Sequence, residues 1–170
     1  MAKIYTVEGK TPIIHPTAWV ADDAVITGDV IIGAHCSIWF GVVIRGDANK
    51  IRLGDNVNIQ DLTMVHGTHG RGDTILGDNV SVGHRAIIHG CQIENDVLIG
   101  MGAIVLDDVL IPSNTIIAAG AVVTSGAKIE AGHIYAGTPA RILKPLDNAK
   151  AQVYIQGTAA GYKEYKELYR

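Results

Sequence analysis

Three histidines, His66, His84 and His89, fall within one span of 24 residues. Neutral imidazole is a strong ligand for a borderline dication. Three rings meeting at one point, with a fourth position left to water, make the donor set of a catalytic zinc site. His15, His35 and His133 have no such company and are read as structural or exposed. His69 lies three residues past the first of the trio and is the one histidine between His66 and His84.

What must position these rings is a repeat. An aliphatic residue recurs every sixth position through Ile14, Val20, Ile26, Ile32, Ile38 and Ile44. The series resumes as Leu53, Ile59 and Val65, then as Leu76, Val82 and Ile88. It holds its last phase from Ile93 through Ile99, Val105, Ile111, Ile117, Val123 and Ile129 to Tyr135. No 3.6-residue helix keeps that spacing, whereas short strands joined by tight corners do. Small residues such as Gly33, Gly77, Gly83 and Gly100 sit beside the aliphatics where the chain must turn. The pattern predicts an all-β parallel solenoid rather than a sandwich, whose turns are longer and less even.

Three phase breaks interrupt the count: Arg45–Lys50, His66–Asp73 and the one-residue deficit beside His89 and Gly90. A slipped register would turn every side chain over, so each break must be absorbed by a loop or bulge, and each is a place to look for chemistry. If three hexads make a coil, the 17-residue interval puts Val65 and Val82 on one face of successive coils. His66 and His84 then lie close together and His89 opens the next face. Rings on two faces of one prism do not readily meet at one metal, so the expectation is a site between copies, with His84 supplied by one and the other two by its neighbour.

The repeat covers residues 1–143, with 1–12 expected as an irregular lead-in, and 144–170 as a terminal helix. Along that helix Tyr154, Thr158, Tyr162, Tyr165 and Tyr169 form one stripe that would cover a solenoid face. The chain is 48% apolar yet has one Phe and two Trp, as a narrow aliphatic interior requires. A net charge of −3 with no basic face argues against nucleic acid. No long apolar run or signal-type start is present, so a membrane partner is not expected and a cytoplasmic location is. Cys36 and Cys91 lack metal or redox spacing and are expected as buried free thiols.

The runs Val42-Val43-Ile44-Arg45-Gly46-Asp47, Asn58-Ile59-Gln60-Asp61 leading to His66, and Val82-Gly83-His84-Arg85-Ala86-Ile87-Ile88-His89-Gly90-Cys91 resemble the gamma-class carbonic anhydrase family. The resemblance extends over nearly the whole chain, including the Gly137-Thr138-Pro139-Ala140 exit, which hexapeptide acyltransferases share. It implies a left-handed parallel β-helix, a homotrimer with one metal at each subunit interface, and reversible hydration of CO2 to bicarbonate by a metal-bound hydroxide. It makes His66, His84 and His89 the ligands, of Zn2+ by default and of Fe2+ or Co2+ alternatively. Arg45 and Asp47 match the family's interface ion pair and Asp61 its acidic neighbour. Gln60 and Asn58 match polar residues that orient water or bicarbonate. Tyr162 matches a tyrosine near the metal, a place that Tyr165 or Tyr154 could hold instead.

The residue types agree in part. The Arg45 guanidinium suits a bidentate grip on Asp61, Asp47 or bicarbonate, although an intersubunit salt bridge without a chemical role is the competing account. Gln60 is neutral and both donates and accepts, so it can hold a hydroxide without quenching its charge. The sequence departs from the family in its loop after the first ligand, which has no glutamate to shuttle protons, and His69 is the candidate substitute. Two other functions fit the repeat: a hexapeptide acyltransferase acting on a thioester, and a metal-binding trimeric scaffold without turnover.

Overall fold

A computed structural model describes residues 2–169. The chain winds as a left-handed parallel β-helix of about seven coils with a helical segment at its C-terminal end. Each coil lays a stretch of strand on each of three faces of a triangular prism, and in two coils the first and second faces share one continuous strand, Val25–Ile32 and Val43–Leu53. Every aliphatic residue of the repeat points inward, and consecutive members of the series take the faces in strict rotation. The first face stacks Ile26, Ile44, Val65, Ile88, Val105 and Val123; the second stacks Ile14, Ile32, Leu53, Leu76, Ile93 and Ile111. The third stacks Val20, Ile38, Ile59, Val82, Ile99, Ile117 and Tyr135. Ile26, Ile38, Ile44, Ile59 and Ile99 are all 0% exposed, and each such side chain stabilises the fold by roughly 1.5–3 kcal/mol of transfer energy.

Most turns follow one rule. The residue three places past an inward aliphatic takes a left-handed backbone conformation, except in the first coil and where the repeat breaks its phase. Gly41, Gly102 and Gly120 follow Ile38, Ile99 and Ile117, and Asn56, Asn79 and Asn114 follow Leu53, Leu76 and Ile111. Glycine and asparagine tolerate that region best, which accounts for the small and polar residues threaded through the repeat.

Four expectations change. Val65 pairs with Ile88, not with Val82, which sits on the third face beside Ile59 and Ile99. The segment between Val65 and Leu76 contains a loop that belongs to no face, so residue count overstates coil count there, and 17 residues cover only two strands. Secondly, the lead-in is not wholly irregular: Lys3–Tyr5 is a strand paired with Val25–Thr27. Thirdly, after Pro139 the strand Arg141–Pro145 folds back antiparallel on His133–Ala136, carrying the sheet two residues past 143.

Fourthly, the terminal segment buries a different stripe. It runs as an α-helical turn Asn148–Ala151, a wider π-helical stretch Gln152–Gln156, an α-helix Gly157–Tyr165 and a 3-10 turn Lys166–Tyr169. The π stretch rotates the register, so that Ile155, Ala159 and Lys166 face the solenoid while Tyr154, Tyr165 and Tyr169 are more than half exposed. Ile155 packs with Leu146 on Ile116 of the third face. Lys166 is 1% exposed, and its Nζ donates to the carbonyls of Thr17 and His35 at the coil corners, at 3.2 and 2.9 Å. Those charge-assisted bonds make its burial tolerable and pin the segment down. Cys36 and Cys91 are free and buried as expected, with burial pushing their thiols up to about 11 and about 12.

Candidate metal centre

All three phase breaks fall on the same edge of the prism, where the first face turns into the second. Two strands of the first face, Met64–His66 and Ile87–His89, end there, and His66 stands directly opposite His89 with ring centroids 5.3 Å apart. Thr74 locks the edge by donating its hydroxyl to the His66 carbonyl at 2.8 Å and accepting from the Gly90 N–H at 3.1 Å. Asn49 holds the His66–Asp73 loop through its side-chain amide, which donates to the carbonyls of Thr68 and Gly72.

The His89 ring is oriented by Asp107, whose Oδ2 lies 3.0 Å from Nδ1. Asp107 is 8% exposed; burial pushes its carboxyl up, but hydrogen bonds from Thr68 and His89 outweigh that and hold it below the usual range. The contact requires a proton on Nδ1 and leaves Nε2 as a lone pair, the arrangement in which a carboxylate supports a metal-binding imidazole. Gly90 is required beside it, both for its φ of +58° and because a Cβ there would run into Asp107. On the other ring, His66 Nε2 is 3.0 Å from Asp47 Oδ1 and 3.1 Å from an Arg45 guanidinium nitrogen, while Arg45 and Asp47 are themselves 3.7 Å apart.

His84 lies elsewhere. It follows the strand Ser81–Val82 and occupies the edge where the third face turns into the first. Its Nδ1 is 2.7 Å from Asp61 Oδ2, and its Nε2 is 3.3 Å from the Tyr162 hydroxyl on the terminal helix. Burial, with the Asp61 carboxylate and Tyr165 adding to it, pushes the Tyr162 phenol up to about 12, so it stays protonated. The residues after Asp61 and His84 are Leu62 and Arg85, both left-handed, at φ +61° and +60°. On this same edge Gly41, Gly102 and Gly120 fill the equivalent position. A bulky side chain there costs on the order of 1–2 kcal/mol, so strain is concentrated beside these two polar residues.

Gln60 and Asn58 form a separate chain beneath the helix. Gln60 Nε2 donates to Asn58 Oδ1 at 3.0 Å, and Asn58 Nδ2 donates to Ser81 Oγ at 2.7 Å. At 5% and 2% exposure the chain fixes the Gln60 amide one residue before Asp61. His69 is exposed and touches neither ring; it lines a cleft of about 250 Å³ with Asp47, Asp73 and Glu8.

The expected residues therefore separate into two groups on opposite edges of the first face. Arg45, Asp47, His66 and His89 occupy one; Asp61, His84 and Tyr162 occupy the other. Among the described residues of one chain, no three His, Cys, Asp or Glu side chains converge as a metal cage. The donor chemistry nevertheless fits a dication: three imidazoles, two of them backed by carboxylates through Nδ1. Asp107 was not read from the sequence. Its only signal is an acidic residue in an acidic pair at a corner, which Asp22 and Asp23 duplicate without a histidine.

Residues 11–46 and 90–125 match the family model described as bacterial transferase hexapeptide (six repeats). The chain is 39% identical over 165 residues to the mitochondrial gamma carbonic anhydrase 1 of Arabidopsis thaliana, covering 94% of this chain but only 60% of that one. It is 37% identical over 164 residues to the carnitine operon protein CaiE of Escherichia coli K12, covering 96% and 81% of the two chains. The crystal structure of a hexapeptide transferase family protein from Anaplasma phagocytophilum superposes with a TM-score of 0.94 at 38% identity, covering 99% and 98%.

Proposed function

Since the chain belongs to the gamma carbonic anhydrase-like family of hexapeptide-repeat proteins, we propose that it is a metal-dependent enzyme hydrating CO2 to bicarbonate at sites shared between the subunits of a homotrimer. The observation that carries this reading is the placement of two carboxylate-backed half-sites on the two edges of one apolar face. The outward column of the first face is Val25, Val43, Met64, Ile87, Ile104 and Val122, aliphatic or thioether at every coil and all partly exposed in the single chain. Turning that face toward neighbouring copies removes it from water and brings the His66–His89 edge of one subunit to the His84 edge of the next. Such contacts are head-to-tail and must close into a ring, and the family resemblance points to closure at three.

His66, His84 and His89 would hold the metal, Zn2+ by default. When bound, such a dication supplies an acidified water and a positive charge at the reacting oxygen. His84 and His89 would offer Nε2 to the group, because Asp61 and Asp107 hold the protons on Nδ1, and His66 would offer the nitrogen that now faces Arg45 and Asp47. Tyr162 keeps its proton and donates it toward an oxygen beside His84. Gln60, fixed by Asn58, and Arg45, freed from His66, bind and orient the carboxylate-like product. His69 accepts the proton that hydration releases and passes it to solvent through the cleft beside Asp47. Glu8, held in that cleft by the antiparallel Val7–Lys10 bridge, offers a second acceptor.

The test is elemental analysis joined to stopped-flow CO2 hydration on zinc-loaded and iron-loaded protein. Turnover that disappears on chelation and in His84→Ala supports the reading. Bound metal with no turnover under either loading replaces it with the scaffold reading. The transferase reading is favoured by the name of the Anaplasma phagocytophilum relative; binding of coenzyme A to metal-free protein would establish it.

A further inference from the structure

The cap on the C-terminal end of the prism covers two faces of three. The exit segment 137–140 closes the first face, where the Val122 N–H donates to the Gly137 carbonyl at 3.0 Å and the Ala140 N–H to the Val122 carbonyl at 2.8 Å. The strand Arg141–Pro145 closes the third face by folding back on His133–Ala136. The second face ends bare. Its last residue in register, Lys128, makes a single bridge to Leu110, and among the described residues no strand pairs beyond it. At this bare end lies a cavity of about 660 Å³ with an apolar lining of Ala127, Ile129, Ala140 and Ile142. Ile129 belongs to the inward series, yet it stays partly exposed because no further coil lies against it.

The polar groups of the cavity select what can fill it. Tyr135, which also lines it, is 4% exposed; its hydroxyl accepts the Glu130 N–H at 2.9 Å, and among the described residues nothing accepts the phenolic proton. Arg141 uses one guanidinium nitrogen on the Ala140 carbonyl at 2.8 Å, and neither Arg141 nor Lys128 stands in an ion pair among the described residues. A buried phenolic proton, a guanidinium and an ammonium thus line one cavity, and each is a donor without an anionic acceptor. Glu130 is the cavity's carboxylate, so its two cations leave one positive charge unbalanced. That balance favours a monoanion over a dianion. A guanidinium fork matches the two oxygens of a carboxylate, and the apolar lining calls for an aliphatic body behind it.

We propose that this end of the solenoid binds an aliphatic carboxylic acid, with Arg141, Lys128 and the Tyr135 hydroxyl on the carboxylate and Ala127, Ile129 and Ile142 on the chain. The site shares no residue with either metal half-site. It lies at the end of the prism, so copies packed side by side through the first face leave it open to water.

The intact protein is titrated with sodium octanoate below its micellar range, with octan-1-ol and with octylammonium chloride, each with and without a chelator. Binding is followed by calorimetry and by saturation transfer to the ligand methyl group. Octanoate is expected to saturate at one per chain with or without the chelator, the alcohol to bind roughly tenfold more weakly, and octylammonium not to saturate. Arg141→Gln, Lys128→Gln and Tyr135→Phe are each expected to weaken octanoate binding by about threefold to tenfold. Lys163→Gln, which removes the same charge from the terminal helix, leaves it unchanged. Lys128 is exposed, so its variant keeps the test valid where Tyr135→Phe fails to fold. Equal binding of acid and alcohol would overturn the proposal in favour of a merely apolar end, and octanoate binding that chelation abolishes would move the anion to the metal. A concentration-dependent doubling of mass in sedimentation that octanoate does not reverse would give the end to a second copy instead. Absence of saturation by octanoate in the folded wild-type protein would overturn it outright.

Discussion

A shared site makes a quantitative demand on mixed trimers. Consider two variants: His66→Ala/His89→Ala, which destroys one edge and leaves the other intact, and His84→Ala, which does the reverse. Neither homotrimer retains a complete ligand set. In a ring of three, a complete set forms wherever a subunit with an intact His66–His89 edge precedes one with an intact His84 edge. Every mixed trimer contains one such junction, whichever variant is in the majority. Random assembly at one-to-one makes about three quarters of the trimers mixed, each with one site of three, so the mixture carries about a quarter of the wild-type metal. The half-sites lie on opposite edges of the face, so the recovery should be indifferent to which variant carries the affinity tag. Co-expressed variants are isolated through two different tags, and zinc per trimer is counted by elemental analysis. Isolation of doubly tagged trimers raises the expectation to about a third of wild type, because pure homotrimers are removed. Zero recovery in folded mixed trimers would refute the shared site. So would full occupancy in either parent variant. The experiment needs no turnover, and it separates a failure of assembly from a failure of chemistry.

Other expectations follow from single contacts. Asp107→Ala should weaken metal binding about 10- to 100-fold in a chelator competition, since the His89 ring loses the group that fixes its tautomer. Ile59→Ala, at a position with 0% exposure, should lower the unfolding free energy by about 2–5 kcal/mol in urea titrations. Arg85→Gly should raise it by about 1 kcal/mol by relieving the left-handed backbone, net of the entropy that glycine adds to the unfolded chain; a loss would assign the Arg85 side chain a contact that outweighs the strain. The Asp29 carboxyl is pushed up by burial but held below its ordinary 3.8 by Arg52 and Lys10, so its contribution is complete above that value and fades as pH falls through the folded pKa. The urea midpoints of wild type and Asp29→Asn should therefore differ at pH 6 and converge as pH falls below the ordinary carboxylate range.

Most of the fold is legible in the spacing of its aliphatic residues, because a narrow prism requires an inward aliphatic on every strand and the sequence has little freedom to disguise it. The inward series was complete from Ile14 to Tyr135. What spacing could not deliver was the partner of each strand. A loop excluded from the faces adds residues without adding a coil, so Val65 was matched to Val82 when its neighbour is Ile88. Counting strands in threes instead of residues in seventeens gives the observed pairing. Residue spacing alone puts His66 with His84, whereas the stacked strands join His66 to His89 and set His84 on another edge, which sharpens the case for a second copy. The terminal segment departs from its sequence pattern for a different reason. A π-helical stretch shifts the stripe by a fraction of a turn, and no residue type announces it, so the tyrosines expected to be covered are largely in water and a lysine is buried instead. Asp107 escaped because its partner is supplied by the previous coil, a relation that exists only once the strands are stacked.

The stacking of every irregular interval on one edge has a consequence for how the protein can change. Inward residues there are separated by nine, eleven and five positions instead of six, yet the next strand always re-enters the second face in register. Length at this edge is therefore uncoupled from the core, and segments can be grafted, trimmed or exchanged between coils with no inward side chain displaced. Selection or design could vary the loop over 67–72 as an independent cassette while the scaffold that supports it is inherited unaltered.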